Sequence, residues 1–174
     1  MAKAAAPKKV KLFTGIIYKE PALSKIIKKN LRAKFGDIDF ESRALDFSYT
    51  KYYEKEMGAG LKRIFFSFKK LIPPDKIAKI KQITNGLESK FSKAGRRGIN
   101  LDPGYINDAK LVLATTKDYS HRLYLKNGIY AEVTLSFSNG SFKPYPWAYP
   151  DYQTKDYISI FNQIRGIFME QRDA

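Results

Sequence analysis

Acid–base chemistry near neutral pH has one imidazole to work with in this chain, because His121 is its only histidine. An imidazole becomes a useful general acid or base when a carboxylate orients it. The pairs Asn127-Gly128 and Asn139-Gly140 each stand between β-rich runs, and Asn-Gly is the strongest short hairpin signal. If each pair is a two-residue turn, Lys126 faces Ile129. Counting outward then sets Leu125 opposite Tyr130, Leu123 opposite Glu132 and His121 opposite Thr134. That register lays His121 diagonal to Glu132 on one sheet face, within reach of contact. The pair reads either as an acid–base unit or as a satisfied structural network within the sheet.

Asp102, in the run LDPGY from Leu101 to Tyr105, is a third candidate for catalysis. Pro103 and Gly104 equally suit a turn in which Asp102 accepts backbone N–H groups. Lys117 and Arg122 flank the loop after the run AKLVLAT. They suit a grip on phosphate or carboxylate, the arginine through its planar fork, or else simple solvated charge. Arg96 and Arg97 form a cationic corner, and Trp147 sits in an aromatic stretch punctuated by Pro144, Pro146 and Pro150 and ending at Asp151. Such rings can stack a base or fold down as a lid on the sheet.

Other chemistries lack their residues. There is no cysteine, so disulfides, thiolate metal sites and a cysteine nucleophile are excluded, and one histidine among scattered carboxylates shows no metal-ligand spacing. No metal and no cofactor is expected. Phosphate cradling by a P-loop needs a GxxxxGK[ST] run, which is absent, and Gly58-Ala59-Gly60 precedes a strand rather than a helix. Thr116-Lys117-Asp118 carries Tyr119 where a guanine-reading motif needs aspartate. A P-loop GTPase is excluded on these grounds.

The elements that must position these residues follow from periodicity. Val10 to Tyr18 reads as a buried strand, and Pro21 to Phe35 as a helix with Leu23, Ile26, Ile27, Leu31 and Phe35 on one stripe, closed by Gly36. Asp37 to Phe47 alternates as a strand, and a tyrosine-rich link covers Tyr49 to Gly60. Leu61 to Ile72 reads as a strand stopped by Pro73-Pro74, followed by a helix from about Pro74 to Ala94 with its lysines, Lys81 among them, mostly outward. Asn100 to Tyr105 reads as turn-rich, Ala109 to Thr115 as a buried strand, then two hairpins and a last helix over Thr154 to Gln171. The first six elements match a βαββαβ order. The predicted class is α+β: a ferredoxin-like βαββαβ core extended by a three-stranded antiparallel meander and a C-terminal helix.

Residues 1–9 read as a loose basic tail and residues 10–174 as one domain, a usual size for a single core. No apolar run approaches the roughly 18 residues that span a bilayer, so a soluble, cytoplasmic protein without membrane partners is expected. The balance of 32 Lys and Arg against 17 Asp and Glu gives a net charge of +15. Such a field attracts polyanions. In a ferredoxin-like core the two early helices share one side of the sheet, so Lys25, Lys28, Lys29, Lys34, Lys76, Lys79, Lys90 and Lys93 are expected to merge with Arg96 and Arg97 into one positive surface. The leading expectation is a binding domain for a phosphate-bearing ligand, nucleic acid or nucleotide. The competing one is a small enzyme with His121 and Glu132 as acid and base, Asp102 assisting, and Lys117 and Arg122 holding an anionic substrate. Docking on an acidic protein is a third.

Several strings also point to a family. YYEKEMG (Tyr52 to Gly58), NLDPGY (Asn100 to Tyr105), KLVLATTK (Lys110 to Lys117), HRLYL (His121 to Leu125), GIYAEVTL (Gly128 to Leu135) and PWAYPDY (Pro146 to Tyr152) resemble an uncharacterised bacterial domain-of-unknown-function family. Some of its members carry a "GTP-binding protein" label. The resemblance spans nearly all the chain after the tail and implies no catalytic residue, and the residues themselves give the label no support.

Overall fold

In the computed structural model, which describes residues 1 and 3–173, β1 (Lys11–Tyr18) is buried at all eight positions. A strand covered on both faces reads as near-continuously apolar rather than alternating, and KLFTGIIY does apart from Thr14 and from Lys11, which bonds Asp39 and Gln171. Around it the order is α1 (Pro21–Phe35), β2 (Ile38–Glu41), β3 (Leu45–Asp46), α2 (Glu54–Met57), β4 (Lys62–Phe68), α3 (Ile77–Lys90), β5 (Ile99–Ile106), β6 (Lys110–Thr115), β7 (Leu123–Lys126), β8 (Ile129–Ser138), β9 (Ser141–Pro144) and α4 (Lys155–Asp173). Among the described residues the strands form one nine-stranded sheet in the order β2-β4-β1-β5-β6-β8-β7, with β3 on β4 and β9 on β8. Every pairing is antiparallel.

Alternation along β1 sends Leu12, Ile16 and Tyr18 to one face, where α1 and α3 pack with Ile27, Leu31, Ile77 and Leu87. Phe13 points to the other face, where α4 packs with Tyr157, Phe161 and Ile164. Each such fully buried side chain contributes roughly 1.5–3 kcal/mol. The two early helices thus share one side of the sheet and the last helix takes the other. Ala2, in the expected tail, and Ala174, at the end of the expected domain, lie outside the described residues.

Three local expectations are corrected. The strand read over Asp37 to Phe47 is two short strands, because Ser42 leaves the ladder to bond Phe65 twice: its N–H donates to the Phe65 carbonyl and its Oγ accepts from the Phe65 N–H, each at 2.9 Å. The run LDPGY is not a turn but the body of β5. Pro103 falls outside the ladder with β6, which begins at Gly104. Gly104 is there for closeness, since a Cβ would lie 2.5 Å from the Val112 carbonyl. In the first hairpin Lys126 does face Ile129, but the partners after it are Tyr124 with Tyr130 and Leu123 with Ala131. A bulge at Leu125 absorbs one residue, so Glu132 does not lie opposite Leu123.

Candidate active site cavity

Arg63 is the centre of the site. It stands on β4 and its side chain is 3% exposed, a position that a charge occupies only when paired. Its Nη1 donates to Asp102 on β5 at 2.7 Å and its Nη2 reaches Asp151 at 3.3 Å. To do so the guanidinium crosses over β1 at Gly15, which lies opposite Phe65 on one side and Asp102 on the other. A Cβ at Gly15 would sit 2.7 Å from Arg63 Nη1. Glycine is required at that position so that the arginine can lie flat across the strand.

The two aspartates differ although they share this arginine. Burial pushes the Asp102 carboxyl up, but the Arg63 and Lys81 charges and hydrogen bonds from Arg63 and Asn100 outweigh it and hold the group below its usual range. Burial also pushes Asp151 up, and there Arg63 offsets only part of it while the Asp102 charge adds to it, so Asp151 stands above its usual range. Glu88 is raised as well, chiefly by burial against the opposing pull of Lys81. Its Oε1 accepts the Leu101 N–H at 2.6 Å. The cavity thus holds one carboxylate whose affinity for a proton is lowered beside two whose affinity is raised.

These groups line a cavity of about 480 Å³. Its polar wall joins Arg63, Lys81, Arg97 and Lys117 with Glu88, Asp102, Glu132 and Asp151, and its ring wall is built from Phe47, Tyr49, Tyr52, Tyr53, Tyr149 and Tyr152. The size is that of a pocket for a small organic molecule. Lys81 was expected on the outer face of its helix. It is buried, with Nζ donating to the Leu101 carbonyl at 2.8 Å, because it falls on the stripe that α3 turns toward β5.

Of the residues singled out from the sequence, Asp102, Glu132, Lys117 and Arg97 meet at this cavity. Asp102 is held by side chains rather than by its own turn. His121 Nε2 lies 3.0 Å from Glu132 Oε2, although the expected register was wrong, because His121 stands in the loop just before the bulged strand. Glu132 also accepts from Arg122 Nε at 2.9 Å and from Thr134 Oγ1 at 3.1 Å. Arg122 continues to the Tyr149 hydroxyl at 2.8 Å and to the Lys117 carbonyl at 3.1 Å.

His121 and Arg122 therefore stand behind Glu132, one hydrogen bond from the lining. Trp147 stands outside the lining too: its ring stacks between His121 and Tyr145, and its Nε1 donates to the Val133 carbonyl at 2.9 Å. The aromatic stretch packs down on the sheet and delivers Tyr149 and Asp151 to the cavity. Arg96 is exposed and away from the lining.

Arg63, Lys81, Glu88 and Asp151 were not singled out as site residues. A signal existed for three of them: Arg63 shares a strand face with Phe65, and Lys81 and Glu88 fall on the apolar stripe of Ile77, Ile80, Thr84 and Leu87. A charge at a core position of a strand or helix marks a buried network. Among the described residues no group of three or more His, Cys, Asp or Glu side chains is arranged to hold a metal ion, and no helix is long and apolar enough to cross a membrane.

Comparison with protein-family models finds one described as Domain of unknown function (DUF4416), matched over residues 8–168. No curated protein and no solved structure matches the chain.

Proposed function

We propose that this chain, which belongs to the DUF4416 family, is a binding domain whose cavity takes a phosphate-bearing molecule of nucleotide size. The observation that carries this reading is the make-up of the cavity wall, where tyrosine rings stand beside Arg97 and Lys117 around a volume of about 480 Å³. Rings of this kind stack on a base or similar flat group, and cations at the rim grip a phosphate. The frame supports the reading: we take the strand order β2-β4-β1-β5 with α1 and α3 on one face as a ferredoxin-like βαββαβ core, here extended by a meander that adds Glu132 to the wall. A nucleotide suits the cavity better than a nucleic acid does, because a volume of about 480 Å³ matches one small molecule rather than a polymer strand.

The only tryptophan is a built-in reporter, since Trp147 stacks on the His121 that holds Glu132. Titration with nucleoside mono- and triphosphates is expected to give a saturable change in its emission at sub-millimolar ligand. Silence up to several millimolar, or a response to oligonucleotides alone, would sink the proposal.

A second reading, a small enzyme, is favoured by one contact: the 3.0 Å approach of His121 to a Glu132 that faces the cavity. Glu132 would then move the proton and His121 would relay it. Turnover of a bound ligand that fails in Glu132→Gln while binding persists separates this reading from simple binding.

A further inference from the structure

Residues 48–60 run along the cavity and contribute Tyr49, Thr50, Tyr52 and Tyr53 to its wall. The segment is anchored at its ends by Phe47, Met57 and Leu61, which pack on Ile17. Two of the cavity's cations reach this segment, Arg97 while its Nη1 also donates to Asn100 Oδ1 on β5 at 3.1 Å. Arg97 Nε donates to Glu56 Oε2 at 2.5 Å, while its other carboxylate neighbour, Glu88, stays 3.8 Å away. Lys117 Nζ rests 4.2 Å from the centre of the Tyr52 ring and, among the described residues, is held by no carboxylate.

Glu56 differs from the other acids around the cavity. Its side chain is 40% exposed and is not part of the lining, whereas Arg97 is. The charge count turns on it. With Arg122, which shares Glu132, the cations are Arg63, Lys81, Arg97, Lys117 and Arg122; the acids are Glu56, Glu88, Asp102, Glu132 and Asp151. The set is neutral with Glu56 in place and carries one positive charge when Glu56 leaves. A pair that is open to water on its Glu56 side is weak enough for a competing anion to break.

We propose that Arg97 is the phosphate-reading residue of the cavity and that Glu56 is its internal competitor. The phosphate of the incoming ligand takes the place of the Glu56 carboxylate on the guanidinium, and Lys117 leaves the Tyr52 ring to join it. Segment 48–60 thereby changes from a strap tied to Arg97 into a wall resting on the ligand. This rests on the cavity being the nucleotide site proposed above, and the experiment keeps the two apart.

Calorimetric titrations of wild type, Glu56→Gln and Arg97→Gln with adenosine and guanosine monophosphates, the matching nucleosides and inorganic phosphate test it. Glu56→Gln is expected to tighten the monophosphates and inorganic phosphate about two- to fivefold, the range an exposed ion pair supports, and to leave the nucleosides unchanged. Arg97→Gln is expected to weaken the monophosphates about tenfold or more and to leave the nucleosides bound, which also shows that the variant is folded. If wild type binds monophosphates but Glu56→Gln binds them no better, or if nucleosides gain as much, Glu56 is no competitor and only the cavity reading survives. If none of the three proteins binds any probe at millimolar concentration, both fall together.

Discussion

The cavity and the outer side of α1 and α3 are both rich in lysine and arginine, yet they hold their cations in opposite ways. In the cavity Arg63 is sealed between Asp102 and Asp151, and just behind its wall Arg122 is bound to Glu132. On the helices Lys25, Lys29, Lys34, Lys76, Lys79 and Lys90 stand exposed. The flank facing β2 carries acids, where Lys28 meets Glu41 and Arg32 meets Asp37. The same residue types therefore do two kinds of work. Buried cations are fixed by desolvation and pairing, so they specify geometry. Solvated ones keep their hydration, so they contribute a field but little fold stability.

The sharpest break of this comparison is at Arg63. Replacing Arg63 with Leu leaves Asp102 and Asp151 near each other without the guanidinium that pairs them, with Lys81 the one cation still acting on Asp102, which is expected to cost about 3–5 kcal/mol. Urea unfolding at neutral pH measures it. A cost under about 1 kcal/mol would mean that the buried network is as dispensable as a surface pair, and the contrast with the helical side would vanish.

A finer break lies inside the network, between the two aspartates. Asp102 has its folded pKa depressed below an ordinary value near 3.8. Its stabilisation is present above that value and is lost as pH falls through the folded pKa. Asp151 has its folded pKa raised above the same ordinary value. Its contribution is present below that value and is lost as pH rises through the folded pKa. Asp102→Asn is thus expected to cost about 1.5–3 kcal/mol at pH 7, the loss of a charged hydrogen bond, and progressively less toward pH 3. Asp151→Asn is expected to move the other way, losing most at pH 3 relative to wild type and standing within about 1 kcal/mol of it at pH 7. Unfolding free energies at three or four pH values show whether the two curves cross; parallel curves would mean that Arg63 treats both acids alike.

How much of this was legible in the sequence depends on whether a feature is local. The turns at Asn127-Gly128 and Asn139-Gly140 were readable because both asparagines and both glycines take positive φ, as a two-residue hairpin requires. The helix over Pro21 to Phe35 was readable from its stripe and its closing glycine. The contact of His121 with Glu132 was legible as a neighbourhood but not as a register, because a bulge leaves no composition signal. LDPGY misled because proline and glycine usually punctuate chains, whereas here Pro103 sits outside the β6 ladder and Gly104 admits the Val112 carbonyl. The partners of Arg63 lie 39 and 88 residues away. No pattern in one sequence assigns such pairs; only the strand order β4-β1-β5 and the return of the chain before α4 bring them together.

The smallest expected effect on stability lies on the helical side, where it is also the most informative about partners. Lys25→Glu, Lys29→Glu and Lys79→Glu combined are expected to change unfolding by no more than about 0.5 kcal/mol per site, since each is exposed and away from the packed stripe. If the shared side of α1 and α3 captures a polyanion, duplex DNA binding followed across a salt series should lose about 0.9 from the slope of log affinity against log salt for each phosphate contact removed. The affinity of the cavity for a nucleoside monophosphate should stay as it was, because none of the three lysines lines it. An unchanged DNA slope would leave the lysines as solvated charge and the cavity as the one place where this chain's cations meet a ligand. A fall in both affinities would mean that the field of the helices reaches the cavity, and that the two regions act as one.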